Sequence, residues 1–161
     1  MKYILSILGS AVVVATLSTS VAIAGPGAAG HHDAEVAYGK PGDPKKPARI
    51  VQIRMGEGDG KMFFAPPIVE IKKGEQVRFK LMNGGELDHE LVIATLQENL
   101  KHAEEMKKNP DMEHDDPNAK RLAPKKTGDI VWHFTKVGEF DFSCLIPGHR
   151  EAGMTGKIIV K

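Results

Sequence analysis

A second cysteine is what this chain of 161 residues most plainly lacks; Cys144 stands alone. No internal disulfide is available, and in an oxidising compartment an exposed lone thiol is a liability, so Cys144 must be buried or bound to something. Charge of one sign is lacking as well. The chain carries 22 basic and 21 acidic residues, without the basic patch or stripe that a nucleic-acid partner requires. Also missing is any regular alternation of strands with helices, which excludes a βαβ sheet. The length suits one domain better than two.

The first two dozen residues stand apart from that domain. Lys2 supplies a short positive start, Ile4 to Leu17 is an apolar run broken only by Ser, Gly and Thr, and Ala22-Ile23-Ala24 is a small-x-small cleavage site. Residues 1–24 read as a secretory signal peptide. An uncleaved anchor is the alternative, because the apolar run approaches the length that spans a bilayer. No cysteine follows the cut, which argues against a lipid anchor, and no membrane attachment is expected after cleavage. Cleavage removes Lys2 and no acidic residue, so basic and acidic residues become equal in number.

Residues 25–48 are rich in Gly, Pro, Ala and charge and read as a flexible arm. The arm carries His31-His32-Asp33, and adjacent histidines can take up Cu(II) or Zn(II); the plainer reading is a solvated tail.

The domain is expected over 49–161. Ile50 to Met55 is a β-branched strand that Gly56 to Gly60 breaks, and Lys61 to Pro67 reads as an extended connector. Ile68 to Ile71 and Gln76 to Leu81 read as a hairpin about Gly74. Val77, Phe79 and Leu81 should face the core, with Gln76, Arg78 and Lys80 toward water. Ile130, Trp132 and Phe134 should likewise point inward and His133 outward.

Residues 95–126 read as an insert: a helix over Gln97 to Asn109, stopped by Pro110, and then a polar loop. His102 and Met106 would share a helix face, with Met112 and His114 close beyond; imidazole and thioether together suit Cu(I). The alternative is that Leu100, Ala103 and Met106 are a packing stripe. With about seven or eight strands and many turn glycines, the fold class is all-β, a Greek-key β-sandwich or barrel with a helical insert.

The chemistry concentrates near the C-terminus, in Cys144-Leu-Ile-Pro-Gly-His149-Arg-Glu-Ala-Gly-Met154. Thiolate, imidazole and thioether on one short loop form a soft, mixed donor set suited to copper. A second imidazole is best supplied by His89, which opens the apolar run Leu91-Val92-Ile93; His133 is the competitor. Two imidazoles, one thiolate and a weak axial methionine make the trigonal blue-copper set.

The spacing C-x4-H-x4-M, followed by the strand Thr155 to Lys161, resembles the ligand loop and last strand of the cupredoxins, rusticyanin-like in loop length. Asp88-His89-Glu90, the charged insert and the histidine-bearing N-terminus resemble the periplasmic cupredoxins of bacterial copper-tolerance systems. The resemblance implies a type 1 copper ligated by His89, Cys144, His149 and Met154, location in the periplasm, and a monomer. It implies copper tolerance or homeostasis by a protein with one-electron redox capacity. The alternative is a soluble electron carrier serving respiratory or nitrogen-oxide partners. Partners would be a redox protein such as a c-type cytochrome, or copper-handling proteins, approached through the ring edge of His149.

Many electron-carrying cupredoxins have asparagine after the strand histidine, where it braces the ligand loop; here that position is Glu90, and the colour and potential are expected to differ. Arg150 and Glu151 should make the surface around His149 more charged. No enzyme activity is expected: four ligands leave no open position, and the His-Cys-His run of multicopper oxidases is absent.

Overall fold

Ten strands and one helix form among the described residues. The computed structural model describes residues 35–161 other than 111 and 113–115; the leader, His31, His32 and His114 lie outside them. In chain order the elements are β1 (Lys40–Pro41), β2 (Arg49–Gly58), β3 (Lys61–Ala65), β4 (Ile68–Ile71), β5 (Glu75–Asn83), β6 (His89–Ala94), α1 (Leu96–Lys108), β7 (Ala119–Leu122), β8 (Thr127–Phe134), β9 (Gly138–Ser143) and β10 (Thr155–Val160).

They form two five-stranded sheets, ordered β1-β8-β5-β2-β3 and β4-β10-β9-β6-β7. The expected β-sandwich with a helical insert is what forms. The core holds Val77, Phe79 and Leu81 of β5 and Ile130, Trp132 and Phe134 of β8, while His133 takes the other face and meets Gly74 O at 3.0 Å. Period-two patterning therefore placed these side chains correctly. No helix among the described residues is long and apolar enough to cross a membrane.

Four local expectations are corrected. β4 and β5 are not a hairpin: β4 pairs in parallel with β10, and β5 pairs with β2 and β8 in the other sheet. The glycine turn between them is a corner between sheets, which short sequence separation alone cannot distinguish from a hairpin. The connector after β2 is itself a strand, β3, paired antiparallel with β2.

The second half of the expected arm, residues 35–48, is not a flexible tail but packs on the domain. β1 pairs with His133 and Trp132 of β8, and Tyr38 is buried, stacked on Trp132 with ring centroids 5.5 Å apart. Trp132 Nε1 donates to Tyr38 O at 2.9 Å. One aromatic anchor outweighs the low apolar content of the surrounding segment.

The insert is not wholly helix and loop either. Its later part contains β7, an edge strand on β6. α1 starts at a capping box, with Thr95 Oγ1 accepting from Glu98 N and the Glu98 carboxylate accepting from Thr95 N. Its buried face is Asn99, Ala103 and Met106, whereas Leu100 is 48% exposed. Asn99 displaces Leu100 from that face because it has two buried acceptors to satisfy, Val92 O at 3.1 Å and Asp141 Oδ2 at 2.7 Å.

Candidate metal centre

The loop from Cys144 to Met154 is closed by its own backbone. Positive φ at Gly148 (88°) and Gly153 (104°) turns the chain back on itself, conformations that glycine adopts without strain. His149 N donates to Ile146 O and Ala152 N to Gly148 O, each at 3.0 Å. Met154 N then bonds His149 O at 3.0 Å, and Cys144 N bonds Met154 O at 3.1 Å. Residues five and ten positions apart are thereby drawn to one end of the sandwich. The bond from Met62 N to Ala152 O, 3.0 Å, fastens the loop to β3.

β6 brings the fourth residue from across the chain. His89, 0% exposed, lies with Nδ1 3.3 Å from His149 Nδ1, and His149 Nδ1 lies 3.4 Å from Cys144 Sγ. These three are the cluster of His, Cys, Asp or Glu side chains fit to hold a metal that the described residues contain, their donor atoms all within 4.8 Å of one another. Met154 is 0% exposed and packs in the same buried cluster as Cys144.

The spacing fits a single ion. With bonds of about 2.0 Å to nitrogen and about 2.3 Å to sulfur, typical of a first-row metal, a trigonal set separates its donors by about 3.5 Å. One thiolate and two imidazole nitrogens form a donor set for copper, and Met154, buried at the end of the same loop, offers a thioether.

Burial shapes the protonation of these groups. It pushes the Cys144 thiol up to about 12, a rise that the charge of Glu90 supports; the free thiol keeps its proton until a metal takes its place. Burial, reinforced by His89, lowers His149, leaving a neutral ring at neutral pH.

Around the donors, the structure shows what Glu90 does. Its backbone N–H points at Cys144 Sγ at 3.5 Å, and its Oε1 accepts Leu145 N at 2.8 Å. A buried carboxylate thus braces the ligand loop at the position where asparagine was the reference. Arg150 does not add charge to the surface as expected. Its guanidinium turns inward onto Asp141, 2.9 Å away, and onto Ser143 Oγ. Glu151 is paired with Lys107 of α1 at 3.1 Å.

Of the residues considered for a second copper site, Met106 is 1% exposed in an apolar cluster with Val92, Ala103 and Leu145, and Met112 packs against that cluster. Both methionines occupy packing positions; His102 is half-buried on the helix. Glu57, bonded to His89 through its carboxylate, was not singled out from the sequence. A glutamate inside Gly56 to Gly60 carries no local signal, since its partner is 32 residues away.

Fold and donor set together define a cupredoxin. The chain belongs to the plastocyanin/azurin family of copper binding proteins, which it matches over residues 51–161. It is 48% identical over 130 residues to the copper-resistant cuproprotein CopI of Rubrivivax gelatinosus, covering 81% of this chain and 77% of that protein. CopI of Pseudomonas aeruginosa is 31% identical over 154 residues, covering 78% and 83%. Among solved structures, auracyanin B has a TM-score of 0.61 at 22% identity, covering 76% of this chain and 96% of that one. An azurin from Methylomonas sp. strain J has a TM-score of 0.56 at 12% identity, covering 71% and 99%. The structural likenesses show the fold.

Proposed function

We propose that the protein is an exported, periplasmic cupredoxin that contributes to copper resistance by holding one type 1 copper. His89, Cys144 and His149 would form the trigonal set and Met154 the weak axial contact. The observation that carries this reading is the convergence of His89 Nδ1, Cys144 Sγ and His149 Nδ1 at one buried point, 3.3 and 3.4 Å apart. The CopI proteins it resembles are named for copper resistance, which favours that role.

Copper held this way supplies one-electron redox chemistry. The chain's own residues do the rest. The loop hydrogen bonds hold three donors in place whichever oxidation state is present, Glu90 N–H tunes the sulfur, and burial excludes water. Four donors leave no open coordination position, so no catalytic turnover is proposed.

Electron transfer to a partner such as a c-type cytochrome is the second reading. It is favoured by His149, which is half-exposed at the surface while His89 is fully buried. Partner and copper-handling proteins alike would then meet the chain at His149.

Copper titration of the purified chain tests the reading. One tightly held equivalent with an intense visible band is expected; a chain that takes up no copper overturns it. Bacteria lacking the gene should grow poorly in excess copper and recover with the wild-type chain. Equal growth with rapid reduction by a c-type cytochrome would instead favour the carrier role.

A further inference from the structure

The carboxylate of Glu57 reaches from β2, in one sheet, to the first residue of β6, in the other. Its Oε2 lies 2.7 Å from His89 Nε2, while Oε1 accepts Glu86 N at 2.5 Å and Leu87 N at 3.2 Å. The turn between β5 and β6 is moulded around this group. Asn83 holds it from inside, accepting from Gly85 N at 2.9 Å and donating to Leu87 O at 2.7 Å and Leu122 O at 2.9 Å. A Cβ at Gly85 would occupy the place of the Glu57 carboxylate, so a side chain there would push Glu57 out of this position.

A carboxylate only accepts, so the nitrogen it meets must carry the hydrogen. His89 is 0% exposed, and water offers Nε2 no other partner. The proton therefore sits on Nε2, and Nδ1, 3.3 Å from His149 Nδ1, is the nitrogen left with a lone pair to offer a metal. The hydrogen bond at one ring nitrogen decides which nitrogen is left to bind a metal.

We propose that Glu57 is a positioning residue of the copper centre, fixing His89 in the Nε2–H tautomer and strengthening Nδ1 as a donor to Cu(II). The proposal rests on the copper reading above. It divides the support of the site between two carboxylates from different strands. Glu90 braces the loop that carries Cys144, and Glu57 orients the imidazole that arrives from mid-chain. A negative charge bonded to a ligand raises the ligand's basicity and favours the more highly charged ion. Glu57 thus lowers the reduction potential.

Glu57→Gln keeps the length and an oxygen acceptor but loses the charge; Glu57→Ala loses both. In the metal-free protein, long-range proton–nitrogen NMR should find His89 as the Nε2–H tautomer in the wild type and a mixture in Glu57→Ala. In the copper-loaded protein, Glu57→Ala should bind Cu(II) about 10- to 100-fold more weakly, with a smaller loss for Cu(I). Each tenfold loss confined to Cu(II) reads as a rise of about 59 mV in a one-electron couple. Glu57→Gln should shift the potential in the same direction.

A residue that merely shaped the turn would, when replaced, weaken both oxidation states together and leave potential and tautomer unchanged; that result overturns the proposal. Should Glu57→Ala fail to fold, the potential of Glu57→Gln decides. A wild-type chain that bound no copper would overturn the copper reading and this proposal together. Normal copper binding with an unshifted Glu57→Gln potential overturns this proposal alone.

Discussion

Arg150, the residue after His149, is joined to Asp141 of β9 by a hydrogen-bonded ion pair of 2.9 Å. Asp141 also accepts from Asn99 of α1 at 2.7 Å and from Ser143 Oγ at 2.5 Å. One buried carboxylate therefore ties the ligand loop to the helix of the insert, and Lys107 with Glu151 adds a second tie at the surface. Asp141→Ala leaves the Arg150 cation without its carboxylate, with only Ser143 Oγ beside it, in a site where both side chains are 15% exposed or less. Breaking such a pair costs about 3 kcal/mol. The midpoint of urea unfolding of the metal-free protein should fall accordingly, and copper should leave the loaded protein faster.

Replacing Cys144 by serine should abolish the intense visible absorption of the Cu(II) form, because that absorption is sulfur-to-metal charge transfer. Met154→Leu should keep copper but shift the potential, since an axial thioether is a weak ligand that tunes rather than holds. Absorption spectra and voltammetry of the two variants read this directly. A Cys144→Ser protein that kept the band would remove the thiolate from the site.

With 0% exposure and a thiol pushed up to about 12, Cys144 of the metal-free protein should resist alkylation at pH 8. Mass spectrometry after iodoacetamide treatment should find it unmodified in the native state and fully modified in denaturant. Prompt native labelling would show that the ligand loop opens without metal.

Met106→Ala should destabilise the fold by about 2–5 kcal/mol, the usual cost of emptying a core site, while leaving the number of coppers bound unchanged. Calorimetric copper titration against urea unfolding separates the two effects. A lost equivalent of copper with unaltered stability would restore the second-site reading for the insert.

Burial pushes Tyr38 up to about 12, with Glu98 and Asp116 adding to the rise. The unfolded chain loses this proton at about 10, so between about pH 10 and about 12 the native state binds more protons than the unfolded one. Stability is full below that window and falls as pH rises through it. The chain has two tyrosines, Tyr3 and Tyr38, so a protein prepared from residue 25 onward carries Tyr38 alone. Ultraviolet titration should therefore show one tyrosinate transition near about pH 12.

Much of the fold is legible in the sequence. The period-two runs of β5 and β8 identified their inward faces, and the spacing of Cys144, His149 and Met154 marked three candidate donors, because both are local in the chain. Non-local relations were not legible. The corner mistaken for a hairpin depends on β10, more than eighty residues downstream of β4. The folding of residues 35–48 depends on Trp132 receiving Tyr38, and the exposure of Leu100 on Asp141 claiming Asn99.

By itself, the sequence determined the kind of metal site: a lone cysteine, a histidine and a methionine at regular intervals on a glycine-hinged loop form a soft donor set wherever that loop lies. Only the tertiary structure decided which imidazole completes the set and which of its nitrogens points inward. Glu57 on one sheet meets His89 Nε2 on the other at 2.7 Å, and a hydrogen bond between sheets exists only once the sandwich has closed.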